Sequence, residues 1–573
     1  MRSKAGFSFG VAATLVLLAA CTKDGKPAQE AADLVLKNAR IYTVDTDLPW
    51  ASSLAIDGGK IAAVGSDEQV APFIGENTRV VDLGGKLVLP GFHDVHAHPV
   101  WGGLAYSQCP IYEGTSPKEY QQLVAKCVAA KPGKGWLYGI GWKPGIFVPN
   151  GIPDKKLLDE IAPDRPVAVS SIGGHTLWVN SEALRVAGIT RDTKDPPNGR
   201  IDRDPKTGEP VGALQEHAMN LVAKLLPPPT RVELDGALAY ATKYFNGVGI
   251  VGWQDASVSV LPTDPAQIIP VYTSAQQRGE LKSHIKLALL WENERGAEQL
   301  QDLLDASEKL AKAGIQAKTV KMFIDGVLVP RTGALIEPYA DQHDTKGEMQ
   351  IPLDVYNNAI AEFDARGFQV HVHAIGDLAV RTTLDAFAKA RERNGPKDNR
   401  HLMSHLNLIA PEDQPRFAQL GVVPVFQPLW ARWDEYMRMT AIRVGAERMK
   451  YMYPSGSLLR GGATIAYGSD WAVASANPLE GIEVALTRRE PGATSGETLT
   501  PEEVITLEQA IRGYTLNSAF ANHVDEVSGS LQVGKSADLV VMDQDVFKIP
   551  VTEIGKAKVL TTVIAGEAVH GNL

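Results

Sequence analysis

The stretch Lys86-Leu87-Val88-Leu89-Pro90-Gly91-Phe92-His93-Asp94-Val95-His96-Ala97-His98 decides how this chain is read. Its apolar, branched side chains predict a buried strand, and the strand runs out into two histidines spaced i and i+2. Side chains two apart on a strand point to the same side. His96 and His98 can therefore hold one cation together, and neutral imidazole suits zinc.

Seven more apolar strand candidates follow, at 249–255, 284–291, 317–324, 368–374, 400–405, 422–427 and 463–470. Amphipathic helical segments separate them, for example 352–366 and 378–394. Eight strand–helix units predict an α/β fold, a (β/α)8 TIM-like barrel over 86–524. The first interval, from His98 to Gly249, is far too long for one helix and contains strand-like runs of its own. It predicts an inserted subdomain at about 104–235, positioned to shape the mouth of the barrel. The β-rich ends, 33–85 and 525–573, are each too small for a good core and are expected to pair as one composite β-sandwich.

Composition narrows the function. The 573 residues are 44% hydrophobic and 22% charged, ordinary globular values that exclude wholesale disorder. A net charge of −10 without a Lys/Arg-rich run argues against nucleic acid as a partner. Three cysteines cannot build a disulfide scaffold or a Cys-rich zinc module.

Residues 1–20 carry Arg2 and Lys4, then an apolar run too short to span a bilayer comfortably, which is the pattern of an export signal. Leu18-Ala19-Ala20-Cys21 resembles a bacterial lipobox, with Cys21 as the lipidated residue and 21–32 as a polar linker. Thr22 after the cysteine resembles lipoproteins sent to the outer membrane, facing the periplasm. A soluble periplasmic protein is the alternative. Export leaves two states open for Cys109 and Cys127, a disulfide or two buried thiols.

Polar groups gather near the C-terminal ends of the predicted strands: Lys321 on strand four, His371 and His373 on five, His405 on six and Asp470 on eight. One such residue means little; their joint placement on the catalytic face of one barrel points to a metal site. The order His-X-His, Lys, His, His, Asp resembles the metal-site pattern of the amidohydrolase superfamily. Pro90–His98, Lys321-Met322-Phe323-Ile324-Asp325-Gly326, His373-Ala374-Ile375-Gly376-Asp377 and Gly174-His175-Thr176-Leu177-Trp178-Val179-Asn180-Ser181 look like its N-substituted formamide deformylase-like branch. That resemblance implies metal-dependent hydrolysis of a non-peptide C–N bond in a small amide, N-formyl or N-acyl groups included. It implies one or two divalent ions, zinc first. His96, His98 and Asp470 would hold one metal, His373 and His405 the second, and Lys321 would bridge them as a CO2-derived carbamate. Asp470 would also relay the proton from water to the leaving nitrogen. His371 shares the parity of His373 one layer deeper and competes with it as a ligand. His175 and Trp178, in the insertion, are expected to bind substrate at the mouth.

The same barrel could act on esters or cyclic amides, or deaminate. A catalytically silent lipid-anchored binding protein would keep the barrel too, but the ligand set is complete. Gly247-Val248-Gly249-Ile250-Val251-Gly252 fits the dinucleotide fingerprint only as a string, because helix precedes it and strand follows. His93, of opposite parity to His96, is expected to face away from the metal pair, and Glu216 to make a surface salt bridge.

Overall fold

A computed structural model describes residues 30–261 and 267–573. The expected export signal over residues 1–20 and the expected lipidation site Cys21 lie outside the described residues.

Eight parallel strands form the central sheet: β1 (Phe92–Ala97), β2 (Ile250–Val258), β3 (His284–Leu290), β4 (Gln316–Phe323), β5 (Gln369–Ala374), β6 (Leu402–His405), β7 (Val423–Phe426) and β8 (Ala466–Tyr467). Each is hydrogen-bonded to the next in sequence order. The ring closes just beyond the ends of β8 and β1, where Asp470 N–H donates to His96 O at 2.7 Å and His98 N–H to Trp471 O at 2.8 Å. The α/β barrel is therefore the architecture that the strand–helix alternation predicts. Its main apolar core lies between strands and helices and is built from side chains such as Phe92, Phe245, Trp253, Val370 and Phe387.

The first predicted strand is in fact two. Leu87–Pro90 pairs with Leu539–Met542 and Arg40–Tyr42 in a six-stranded sheet, and only Phe92–Ala97 enters the barrel. The chain changes sheets at Pro90-Gly91. Proline has no N–H to offer a ladder, and a Cβ on Gly91 would come within 2.4 Å of Val251. Both chain ends contribute to that six-stranded sheet, and a four-stranded sheet made from residues 34–82 packs beside it.

Between β1 and β2 the insertion folds around a five-stranded sheet, with strands Leu137–Trp142, Val167–Ser171, Thr176–Val179, Gly199–Arg203 and Pro210–Glu216. A disulfide joins Cys109 to Cys127, so the bonded state is the one realised. No helix among the described residues is long and apolar enough to cross a membrane.

Candidate metal centre

Six side chains from five strands meet at the C-terminal rim. His96 is on β1 and His98 just beyond it, Lys321 on β4, His373 on β5, His405 at the end of β6, and Asp470 three residues past β8. Ligand atoms of His96, His98 and Asp470 all lie within 4.8 Å of one another. Asp470 Oδ1 is 3.0 Å from His98 Nε2 and 3.5 Å from His96 Nε2. The ring of His405 is 4.7 Å from that of His96 and 4.6 Å from that of His373, centre to centre. His405 and Asp470 both have positive φ, 76° and 56°, which non-glycine residues rarely adopt. Such backbone strain clusters at functional sites. Gly468 allows β8 to approach β1, since a Cβ there would sit 2.6 Å from that of His96.

The electrostatics fit a cation. Burial holds His96, His373 and His405 well below the ordinary histidine value, so all three are neutral and able to ligate. His405 Nδ1 bonds Gln427 Oε1 at 3.0 Å, leaving Nε2 bare; His373 Nε2 bonds Gly326 O at 3.1 Å, leaving Nδ1 bare. Burial pushes the Lys321 amine down to about 7, and its Nζ has no hydrogen-bond partner. A buried, partnerless amine is costly. With a value of about 7, a substantial share of it is unprotonated near neutral pH, the form that can take up CO2; a carbamate formed there would be an anionic oxygen ligand. The donor set therefore suits one or two divalent ions.

His371 lies deeper. Both its ring nitrogens are engaged inside the barrel, Nδ1 by Gln254 and Nε2 by Ser404 and His96, so it is not available as a competing ligand. His93 turns away, as parity predicts, and bonds Ser528 Oγ at 2.9 Å.

Of the two insertion residues, His175 reaches the site, with its ring 5.6 Å from that of His373. Trp178 does not. It is fully buried against Trp142 and Phe147, and its Nε1–H donates to Asp154 O at 3.1 Å. Alternation along the strand explains this: Leu177 and Val179 face one apolar cluster of the insertion, Trp178 the other.

Glu216 is also misplaced by the sequence reading. Far from making a surface pair, it bonds His175 Nδ1 at 3.0 Å and accepts from Thr332 Oγ1 at 2.7 Å. Burial disfavours both charges, but their mutual attraction outweighs it, raising His175 and lowering Glu216. Glu216 ends its strand at φ 46°, a conformation no sequence signal announces.

Two carboxylates escaped the sequence reading. Asp94 Oδ1 accepts the backbone N–H of His96 and of Ser469, both at 3.0 Å, and its Oδ2 accepts Ser469 Oγ–H at 2.5 Å. It thereby ties the segment bearing Asp470 to β1. Asp325 accepts N–H groups from Ala334, Ile375 and Gly376 and lies 3.8 Å from His373 Nε2. Its position in the Lys321–Gly326 segment was the only hint.

Comparison with known proteins follows the same line. A model of the amidohydrolase family matches residues 79–570. Protein LONG AFTER FAR-RED 3 of Arabidopsis thaliana is 32% identical, over 95% of this chain and 92% of its own. N-substituted formamide deformylase of Arthrobacter pascens is 27% identical, over 93% and 97%. The solved structure of an uncharacterized metal-dependent hydrolase from Pyrococcus horikoshii OT3 shares the fold with a TM-score of 0.68 at 23% identity, covering 90% of this chain and 99% of that one.

Proposed function

Because the chain belongs to the amidohydrolase family, we propose that it cleaves a non-peptide C–N bond in a small amide, with N-formyl and N-acyl amines as the first candidates. The observation that carries this reading is the partnerless Lys321 amine buried among neutral imidazoles and Asp470. The deformylase from Arthrobacter pascens supports the choice of amide.

His96, His98 and Asp470 would hold one divalent cation, zinc by the imidazole-rich donors. His373 and His405 would hold a second, and carboxylated Lys321 would join the two sites. A divalent cation bound there supplies a Lewis acid for the carbonyl and lowers the pKa of water. Asp470 Oδ1 faces His96 and His98, while Oδ2 is 4.0 Å from His405 Nδ1. One carboxylate oxygen can thus take a proton from water and return it to the departing nitrogen. That return is required because an amide anion is a very poor leaving group. His175, braced by Glu216, contacts the substrate from the insertion.

Zinc-reconstituted protein should release carboxylate and amine in equal amounts from members of an N-formyl, N-acetyl and N-acyl panel. Release of ammonia instead would mark a deaminase, and no turnover of any amide would remove the reading.

Export belongs to the same proposal: a lipoprotein anchored through Cys21 at the outer membrane, facing the periplasm. The lipobox-like sequence and the Cys109–Cys127 bond support it. Palmitate labelling of the protein should disappear in Cys21→Ala.

A further inference from the structure

Below the metal centre a chain of buried polar side chains runs down the barrel, and its direction can be deduced from its far end. Gln369, at the start of β5, donates from Nε2 to Arg400 O at 2.7 Å and to Ala521 O at 2.8 Å. Backbone carbonyls only accept, so the Gln369 amide has one permitted orientation. Its Oε1 then accepts from Lys286 Nζ at 2.9 Å, Thr319 Oγ1 at 3.1 Å and Gln254 Nε2 at 3.4 Å. Gln254 Nε2 also donates to Asn522 Oδ1 at 3.1 Å. With its amino end committed, Gln254 presents Oε1 to His371 Nδ1 at 2.5 Å.

A carbonyl oxygen carries no hydrogen, so the hydrogen between them sits on His371 Nδ1. The Nε2 of a neutral His371 is then a bare acceptor, and it faces His96 Nδ1 at 3.1 Å and the Ser404 hydroxyl. Ser404 Oγ is itself 2.9 Å from His96 Nδ1. With acceptors on that side, His96 carries its hydrogen on Nδ1. Its Nε2 keeps the lone pair, and Nε2 is the atom that faces Asp470.

We infer that Gln369, Gln254 and His371 are positioning residues that set the tautomer of His96, so that its Nε2 is presented bare to the cation. No group in this relay changes charge; what passes along it is the location of one hydrogen per residue. The inference rests on the proposed metal centre, because a fixed tautomer matters only if Nε2 must ligate. It also explains why a second histidine lies one layer beneath the ligands without being one of them.

Gln254 separates this role from direct ligation, since His371 stands between it and the site. Zinc affinity of Gln254→Leu, His371→Leu and His371→Gln should be measured by competition with a chromophoric chelator, alongside the unfolding temperature of each zinc-free protein. Both leucine variants should bind zinc about 10–100-fold more weakly than wild type, the usual effect of losing an outer partner of a ligating histidine. His371→Gln keeps an acceptor for His96 Nδ1 and should stay within a few-fold of wild type. Zinc binding by Gln254→Leu as tight as wild type would overturn the relay. So would His371→Gln falling as far as His371→Leu, a comparison that still decides if Gln254→Leu does not fold. Wild-type protein that binds no zinc would instead remove the metal centre itself.

Discussion

Asp94 offers the sharpest test of how the rim is held together. Replacing it by alanine removes the acceptor of two buried backbone N–H groups, those of His96 and Ser469, and of the Ser469 hydroxyl. Each orphaned backbone donor costs about 1–3 kcal/mol, so Asp94→Ala should lose about 2–6 kcal/mol of stability. The functional effect should be larger. Ser469 Oγ accepts Trp471 N–H at 2.9 Å, so the residues on both sides of Asp470 depend on Asp94. A displacement of about 1 Å at the reacting groups can cost about 100-fold, which is the expected fall in kcat/KM. Asp94→Asn is the control. Its amide oxygen can still accept both backbone N–H groups, which share one carboxylate oxygen in the wild type, and the Ser469 hydroxyl can accept from its amino group. Asp94→Asn should therefore retain most activity and most stability. The assay is kcat/KM on the best substrate of the amide panel, paired with calorimetric unfolding. Folded Asp94→Ala with wild-type kcat/KM would refute the reasoning. Equal damage in Asp94→Asn would show that charge, rather than hydrogen-bond acceptance, is what matters.

Other perturbations give equally definite outcomes. Lys321→Met should raise the unfolding temperature of the zinc-free protein, because it removes a partnerless buried amine, yet abolish turnover; calorimetry and metal analysis on one preparation test both. Replacing Cys109 and Cys127 by serine opens a loop of sequence separation 18 and should destabilise the insertion by about 3 kcal/mol, seen as faster proteolysis between residues 99 and 247. Lys286 is pushed down to about 7 by burial from an ordinary 10.5. The unfolded chain therefore binds the extra proton between about pH 7 and 10.5, and stability contributed by this residue rises with pH across that window. Lys286→Met should flatten that rise in denaturant titrations, and an unchanged slope would count against a buried neutral amine.

The barrel was legible because its signals are local. Each strand is a short apolar run between turn-forming residues, and the candidate ligands stand at or just past strand ends, where the i, i+2 rule places His96 with His98 and puts His373 on the same face as His371. Parity also turned His93 away from the metal pair. Parity alone could not choose between His371 and His373, since both share a face; depth in the barrel decides, and depth is set by the register of β5 against β4 and β6. The same limit applies to Leu87–Pro90, whose composition suits a barrel strand and a sandwich strand equally.

From residue order alone come the strand–helix alternation, the donor types and their attachment to strand ends, because backbone periodicity ties each to its near neighbours. Contacts between distant segments belong to the folded chain: Asp94 with Ser469, Gln254 with His371, and Glu216 with His175 and Thr332. So does the burial of Trp178. A hydrogen bond needs its two partners within about 3 Å, and residues 41 to 375 positions apart reach that distance only when the barrel closes or, for Glu216 and His175, when the strands of the insertion pair.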